Sequence, residues 1–500
     1  MNQQRNNKIG KIYHYYQYIA YLLSKDASIY PSPSHGDFVT KEEVITSWKN
    51  TVSLIKEGRA PKKFCLYIHI PFCKSSCFYC MSGTITVKEK GEFILRYLNY
   101  LYEEMKSVSF IVKDLEVTTL YFGGGTPSIL EASEIRDLIQ NLKYFFNITE
   151  NTRIIFEASP FSLTREKLQA LKSEDVYELA LGIQSFDQEV LDYNNRPQNV
   201  GKTKEIIKEA QNIGIPSVTA DMMLGMPYQD KNSVIESMKE ASNLNLDGIW
   251  VNSFLPLRHT RFSQQGYVLS EQKKQKQKDI YKEVDFLLRK EGYVYSYLGY
   301  RKTLSDLDIE KAYLTQENWN LMGIGYGSYS HAFGSLKYEK IYPIEEFMKE
   351  LKMENYCYYD SGMSFRCMFD NFLYNKYKES VNECQKKMNI YSAIKMDLKK
   401  EMCVYAVTNL PRINLSEFKN LFGVDFLSVF KPSIRILFNL NLARFTKEEF
   451  IIKTKNPSLR KVAKAFFVDK DYINRILKSE KMVYNYGVDY LNLLDKISRP

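Results

Sequence analysis

From Phe64 onward, short runs rich in β-branched and aromatic residues alternate with longer stretches whose apolar residues recur at helical spacing. The runs Phe64–Ile70, Thr118–Phe122, Arg153–Glu157, Glu178–Ile183, Ser217–Met223 and Gly248–Phe254 predict strands. The patterns near Glu92–Val112, Glu131–Phe146, Arg165–Leu171, Lys202–Ile213 and Ser233–Leu244 predict helices between them. Such alternation implies right-handed βαβ units and a parallel sheet, and six units suit a partial (β/α)6 barrel. In barrels and open parallel sheets the chemistry sits at the C-terminal ends of the strands, so unusual residues should cluster just after each one.

Outside this region the rhythm changes. Residues 1–60 read as a leader with two helical stretches around a turn-rich patch, Tyr30-Pro31-Ser32-Pro33-Ser34-His35-Gly36. The barrel is expected over 61–300. An extension over 301–365 closes it and carries a glycine-rich loop, Asn320–Ser330, with Gly323, Gly325 and Gly327. Residues 366–500 look mostly helical, and Asn414–Thr454 reads as a helix–turn–helix with a β wing, giving a winged-helix-like C-terminal domain. The expected fold class is therefore α/β: a partial barrel between a helical leader and a helical C-terminal domain.

Composition narrows the function. The chain has 500 residues, 44% hydrophobic and 26% charged, which is ordinary for a globular protein. Its net charge of +10 is modest for that length. It is read as a basic background and not as a nucleic-acid platform, although a polyanionic small substrate would suit it. No long apolar run marks a signal peptide or a transmembrane helix, so the expected location is cytoplasmic, with no membrane span. Of eight cysteines, Cys73, Cys77 and Cys80 crowd together and the others are scattered, which favours reduced thiols and a metal site over a disulfide framework.

Cys73-Lys74-Ser75-Ser76-Cys77-Phe78-Tyr79-Cys80 follows directly on the first strand. Zinc loops usually pair one C-x2-C with a second, which is missing here, whereas three thiolates on a tight loop can wrap a cuboidal [4Fe–4S] cluster. Three ligands for four irons leave one iron open, as in a catalytic metal site. Four further segments end strands: Tyr121-Phe122-Gly123-Gly124-Gly125-Thr126-Pro127, Glu157-Ala158-Ser159-Pro160, Gly182-Ile183-Gln184-Ser185-Phe186 with Asn195-Arg196, and Asp221-Met222-Met223-Leu224-Gly225. Bare glycine backbone lets a ligand approach closely, and Glu157 could accept hydrogen bonds from ribose hydroxyls.

C-x3-C-x2-C after the first strand of a βα barrel resembles the signature of the radical S-adenosylmethionine superfamily. Tyr67-Ile68-His69-Ile70-Pro71-Phe72-Cys73 resembles the opening of the oxygen-independent coproporphyrinogen III oxidase-like family. The resemblance covers roughly residues 60–330, with a fainter match beyond. It implies a cluster on Cys73, Cys77 and Cys80 that cleaves S-adenosylmethionine to a 5′-deoxyadenosyl radical. It also implies a methionine-moiety site at Gly124, Gly125 and Thr126, a nucleoside contact at Glu157, and cofactor contacts at Tyr67 and Tyr79, with Tyr67 also catalytic beside the sulfonium. Gln184, Arg196 and Asp221 match contacts to a second S-adenosylmethionine. An electron donor such as flavodoxin or ferredoxin is implied as partner.

Ala312-Tyr313-Leu314-Thr315-Gln316, Tyr30-Pro31-Ser32 and Asn414–Phe445 resemble segments of the oxidase itself. Ser82 stands where the oxidase has a further Cys, Tyr177-Glu178 where it carries Asn-Arg, and Phe254-Leu255-Pro256-Leu257 replaces a Tyr-Ala-His-like segment. These departures bear on the substrate, for which Lys74, Arg258 and His259 are candidate propionate partners. The resemblance thus implies oxidative decarboxylation of porphyrinogen propionates. A methyltransferase and a haem-binding chaperone of the same fold are the alternatives. His331 is a poor haem argument by itself, and the chaperones' Arg-His-Asn…Tyr-Trp segment is not found.

Overall fold

The computed structural model describes residues 12–20, 36–80, 84–87, 92–256, 260–295, 299–302, 320–341, 357–359, 390–454 and 456–479. Six strands form its centre: β1 (Phe64–Ile70), β2 (Val117–Gly124), β3 (Arg153–Ala158), β4 (Val176–Gln184), β5 (Ser217–Leu224) and β6 (Gly248–Ser253). They pair in chain order and all in parallel. The crossovers are α1 (Phe93–Val112), α2 (Ala132–Phe145), α3 (Arg165–Ser173), α4 (Val200–Ile213) and α5 (Lys231–Asn243). Local signals fix their starts: Thr164, Asn199 and Asp230 each accept a backbone N–H three residues on. Leu66, Ile68, Leu120, Phe122, Ile154, Phe156, Leu179 and Leu181 face these helices in one continuous core.

The sheet reaches further than the alternating pattern indicates. At the β6 edge, β7 (Gly299–Arg301) adds antiparallel. At the β1 edge, β8 (Asn320–Ile324) adds as a seventh parallel strand. There follow β9 (Tyr329–Ala332), β10 (Leu336–Ile341), β11 (Ile390–Lys395) and the short strand Asp37–Val39, all antiparallel. Asn320–Ser330 is therefore not a plain loop but a strand, a turn and the start of another strand. The close approach expected there is real: a Cβ on Gly323 would lie 2.3 Å from the Tyr329 carbonyl oxygen, and one on Gly325 2.6 Å from Tyr97 Oη. Glycine inside a strand marks such an approach, not a break. The leader likewise supplies an edge strand as well as helices.

A second core holds the C-terminal region. The helices Leu415–Phe422 and Lys431–Asn439 and the three-stranded sheet of Arg412–Asn414, Glu449–Ile452 and Ala443–Phe445 form the winged arrangement around Phe418, Phe426, Phe430, Phe450 and Phe467. The helical residues 12–20 join this core, with Tyr16 stacked on Phe466. Helix α6 (Leu398–Asn409) ties it to the sheet, because Glu401 bonds His331 Nε2 at 2.9 Å and accepts the Gly334 N–H at 2.8 Å. His331 and Glu401 are both fully buried, so His331 is a structural partner of a carboxylate.

One ion pair lies inside the barrel floor. Arg301 on β7 donates to Glu178 on β4 through both terminal nitrogens, at 2.9 and 3.2 Å, and Thr219 Oγ1 donates to the same carboxylate at 3.1 Å. Both side chains of the pair are 3% exposed. Among the described residues no helix is long and apolar enough to cross a membrane.

Candidate functional site

The cysteine loop leaves β1 through Pro71 and is held from both sides. On one side Gly125 and Thr126 donate their N–H groups to the carbonyls of Ile70 and Phe72, at 2.8 and 2.9 Å. On the other, Phe78 N–H donates to the Asn194 carbonyl at 3.1 Å and Asn195 Nδ2 to the Ser76 carbonyl at 2.7 Å. The glycine segment is needed here for protein contacts as much as for ligand approach. A Cβ on Gly125 would lie 2.7 Å from the Phe72 carbonyl oxygen, and one on Gly124, whose φ is +115°, would lie 2.8 Å from the His69 ring.

Cys77 is buried, and Cys73 and Cys80 are half-buried. Burial pushes the Cys73 thiol up to about 12, and the neighbouring Cys80 and Cys77 add to this while a hydrogen bond with Thr126 opposes it. Burial thus favours the neutral thiol; a bound metal reverses that logic, because a coordinating thiol is deprotonated outright. Among the described residues no three Cys, His, Asp or Glu side chains converge on a single-ion site. The three thiols lie near enough for Cys80 and Cys77 to act on Cys73, and all three face one cavity, as ligands of a shared cluster must. Met223, Met226, Phe254, Phe262 and Tyr79 pack behind the loop as an apolar wall, and such a shell keeps solvent from a cluster.

Below the loop opens a cavity of about 340 Å³. Cys73, Cys77 and Cys80 line it together with Tyr79, Gly124, Gly125, Thr126, Glu157, Gln184, Arg196 and Asp221. Apart from the cysteine loop and Arg196, these residues come from the C-terminal halves of β2, β3, β4 and β5 or the turns just after them, as the strand-end rule expects. Glu157 accepts a 2.6 Å bond from Tyr121 Oη. Burial raises its carboxyl to about 7, with Asp221 adding to the rise and Tyr121 and the Gly124 N–H opposing it. Burial also raises Asp221 to about 6, with Glu178 pushing the same way and Arg196 the other. Gln184 holds φ +71°, a conformation rare outside glycine, at a register shift where β4 ends.

Of the residues expected at the site, Tyr67 is placed differently. It packs beneath the cavity with Cys65, Leu321, Tyr121 and Tyr329, and its hydroxyl bonds His69 Nδ1 at 2.9 Å. It is absent from the cavity lining, although alternation along β1 aims it, like the lining residues, at the barrel interior. Lys74 is exposed on the loop. Ser82, Arg258, His259, Tyr30-Pro31-Ser32 and Ala312–Gln316 lie outside the described residues. Ser159 and Met223, which stand in the quoted strand-end segments without a role of their own, also line the cavity, as do Phe161 and Asn252. Asn252 is a polar residue near the end of β6, so the strand-end rule applied to every strand finds it.

Three comparisons bear on this arrangement. The family model described as the radical SAM superfamily matches residues 67–241. The oxygen-independent coproporphyrinogen III oxidase of Salmonella typhimurium is 28% identical over 229 residues, 46% of this chain and 50% of the relative, so the chain spans about half of that relative's length. The oxidase of the same description from Escherichia coli is 26% identical over 314 residues, 60% of this chain and 68% of the relative. The heme chaperone HemW of Lactococcus lactis is 26% identical over 290 residues, 58% of this chain and 74% of the relative. Among solved structures, coproporphyrinogen III oxidase (HemN) from Escherichia coli, described as a radical SAM enzyme, superposes with a TM-score of 0.68. That match covers 89% of this chain and 98% of the other at 20% identity, and it speaks for the fold.

Proposed function

This chain is a member of the radical S-adenosylmethionine superfamily, and from that premise we propose that it is an enzyme of the oxygen-independent coproporphyrinogen III oxidase type, holding a [4Fe–4S] cluster on Cys73, Cys77 and Cys80. The observation that carries the reading is the single cavity in which the cysteine loop, the glycine segment and the polar ends of β3, β4 and β5 meet. When bound, the cluster supplies the electron that splits S-adenosylmethionine into methionine and a 5′-deoxyadenosyl radical.

The chain's own residues position and exclude. Gly124, Gly125 and Thr126 offer backbone and a hydroxyl to the methionine end. Glu157 accepts from the ribose hydroxyls. Gln184 and Asp221, which line the same cavity, serve a second S-adenosylmethionine in this reading. The wall of Met223, Phe254 and Phe262 keeps water from a reactive intermediate. On a porphyrinogen, removal of a hydrogen atom from a propionate β-carbon, loss of CO₂ and loss of one electron to an acceptor would leave a vinyl group. Exposed Lys74 offers a charge to a propionate at the rim. The electron donor is a low-potential flavodoxin or ferredoxin.

Glu157 gives this reading a pH signature. A carboxylate accepts ribose hydroxyls with both oxygens, and a carboxyl group does not. Binding therefore selects the ionised form of a group that titrates at about 7 and releases its proton below that pH. Affinity for S-adenosylmethionine should rise with pH up to about 7, by at most about tenfold per pH unit, and level off above. In E157Q the affinity should be weaker and flat with pH. Isothermal titration of the cluster-loaded protein across this range checks both.

The relative named as a heme chaperone supports a second reading, in which the chain carries haem. One anaerobic incubation of reduced, reconstituted protein with S-adenosylmethionine and coproporphyrinogen III separates the two. Release of 5′-deoxyadenosine with a product lighter by two CO₂ and four hydrogens supports the oxidase. Haem binding without either contradicts it.

A further inference from the structure

We propose that Arg196 acts on the cluster through Cys77, donating a hydrogen bond to this ligand's sulfur and thereby raising the cluster's reduction potential. This rests on the cluster reading above. Arg196 Nη1 lies 3.7 Å from Cys77 Sγ and 3.3 Å from Tyr79 Oη. Nη2 donates to Ser159 Oγ at 3.1 Å and to the Gly182 carbonyl, and Nε donates to Gln198 Oε1 at 3.0 Å. A guanidinium has five N–H donors, and these are five acceptors within the protein. The fork is thus fixed by the chain itself, with one prong on sulfur. This use of its donors differs from the contact to a second S-adenosylmethionine that the family resemblance implies.

Charge gives a second, independent argument. Arg196 is 9% exposed, and none of its five hydrogen-bond acceptors is a carboxylate. A buried guanidinium is costly unless it is paired. Asp221 acts on it only through its field. The missing partner at hydrogen-bonding range is supplied once Cys77 is a thiolate in an anionic cluster. The seat is also shaped for this group: a Cβ on Gly182 would lie 3.3 Å from Arg196 Nη2. Gln198 fixes the other end by donating to the Ile183 carbonyl at 3.0 Å.

Hydrogen bonds and positive charge at a ligand sulfur stabilise the form carrying the extra electron, which raises the potential. Thr126 Oγ1, 3.1 Å from Cys73 Sγ, is a second contact of the same kind and should act in the same direction more weakly, since it carries no charge.

The test is a potentiometric titration of reconstituted full-length protein without S-adenosylmethionine, following the reduced cluster by electron paramagnetic resonance. Iron and sulfide are counted on the same samples. The midpoint should fall in the order wild type, R196K, R196Q. At the wild-type midpoint, the ratio of reduced to oxidised cluster in R196Q should drop about tenfold, equivalent to about 59 mV for one electron. T126V should shift the midpoint the same way by less. A role in packing alone would lower cluster content and leave the midpoint in place. R196Q with full iron and the wild-type midpoint overturns the proposal. If R196Q takes up little cluster, R196K at the wild-type midpoint overturns it equally. Wild-type protein that holds no iron removes the cluster reading, and this inference falls with it.

Discussion

Glu178→Ala is expected to destabilise the fold by about 3–5 kcal/mol, because it removes the buried carboxylate to which both terminal nitrogens of Arg301 are bonded. The pair is 3% exposed on both sides and bonded at 2.9 and 3.2 Å, so little solvent is present to take over. Arg301→Ala should cost a similar amount, stranding the carboxylate with only the weaker hydroxyl donors Thr219 and Ser217. The double variant E178L/R301M should recover most of the loss, since replacing a whole buried pair by apolar groups of similar volume is often neutral. Urea unfolding of the four proteins reads the effect. Single variants within about 0.5 kcal/mol of wild type would show that the pair does not anchor β7 to the barrel. Glu178 belongs to the Tyr177-Glu178 stretch that departs from the family's Asn-Arg, and its partner arrives from β7, far along the chain.

The second large effect is expected at Cys77. Cys77→Ala should abolish assembly of a full cluster, and with it all cleavage of S-adenosylmethionine. Cys77 is buried against Tyr79, Val190, Met223 and Phe254, so no outside ligand replaces it readily. Its loss also leaves Arg196 without a sulfur acceptor.

The barrel strands were legible because strands buried on both faces read as apolar, β-branched runs, and the ends of β1 to β6 fall within a few residues of the expected bounds. The site was legible for a related reason: chemistry placed just past a strand interrupts an apolar run with a residue that packing does not require, as Glu157 and Asp221 do. Three features were not legible. Strand β8 is short and carries Gly323, which local reading treats as punctuation; only its pairing with β1 makes it a strand. The helix Glu271–Lys290 has just Ile280, Val284 and Leu288 buried, a stripe too thin to stand out among its lysines. The pairing of Glu178 with Arg301 and the aim of Arg196 at Cys77 depend on contacts between residues more than a hundred positions apart, which no local pattern encodes. Tyr67 lies on the expected strand and faces the barrel interior, where it packs with Tyr121 and Tyr329.

The central claim is that three thiolates hold a four-iron cluster and leave one iron open to S-adenosylmethionine. The most direct test is anaerobic reconstitution followed by reduction, iron analysis and electron paramagnetic resonance with and without S-adenosylmethionine. About four irons per chain are expected in the wild type. The signal of the reduced cluster should change on adding S-adenosylmethionine, and C77A should yield neither. A full cluster in C77A, or a wild-type signal indifferent to S-adenosylmethionine, would contradict the account.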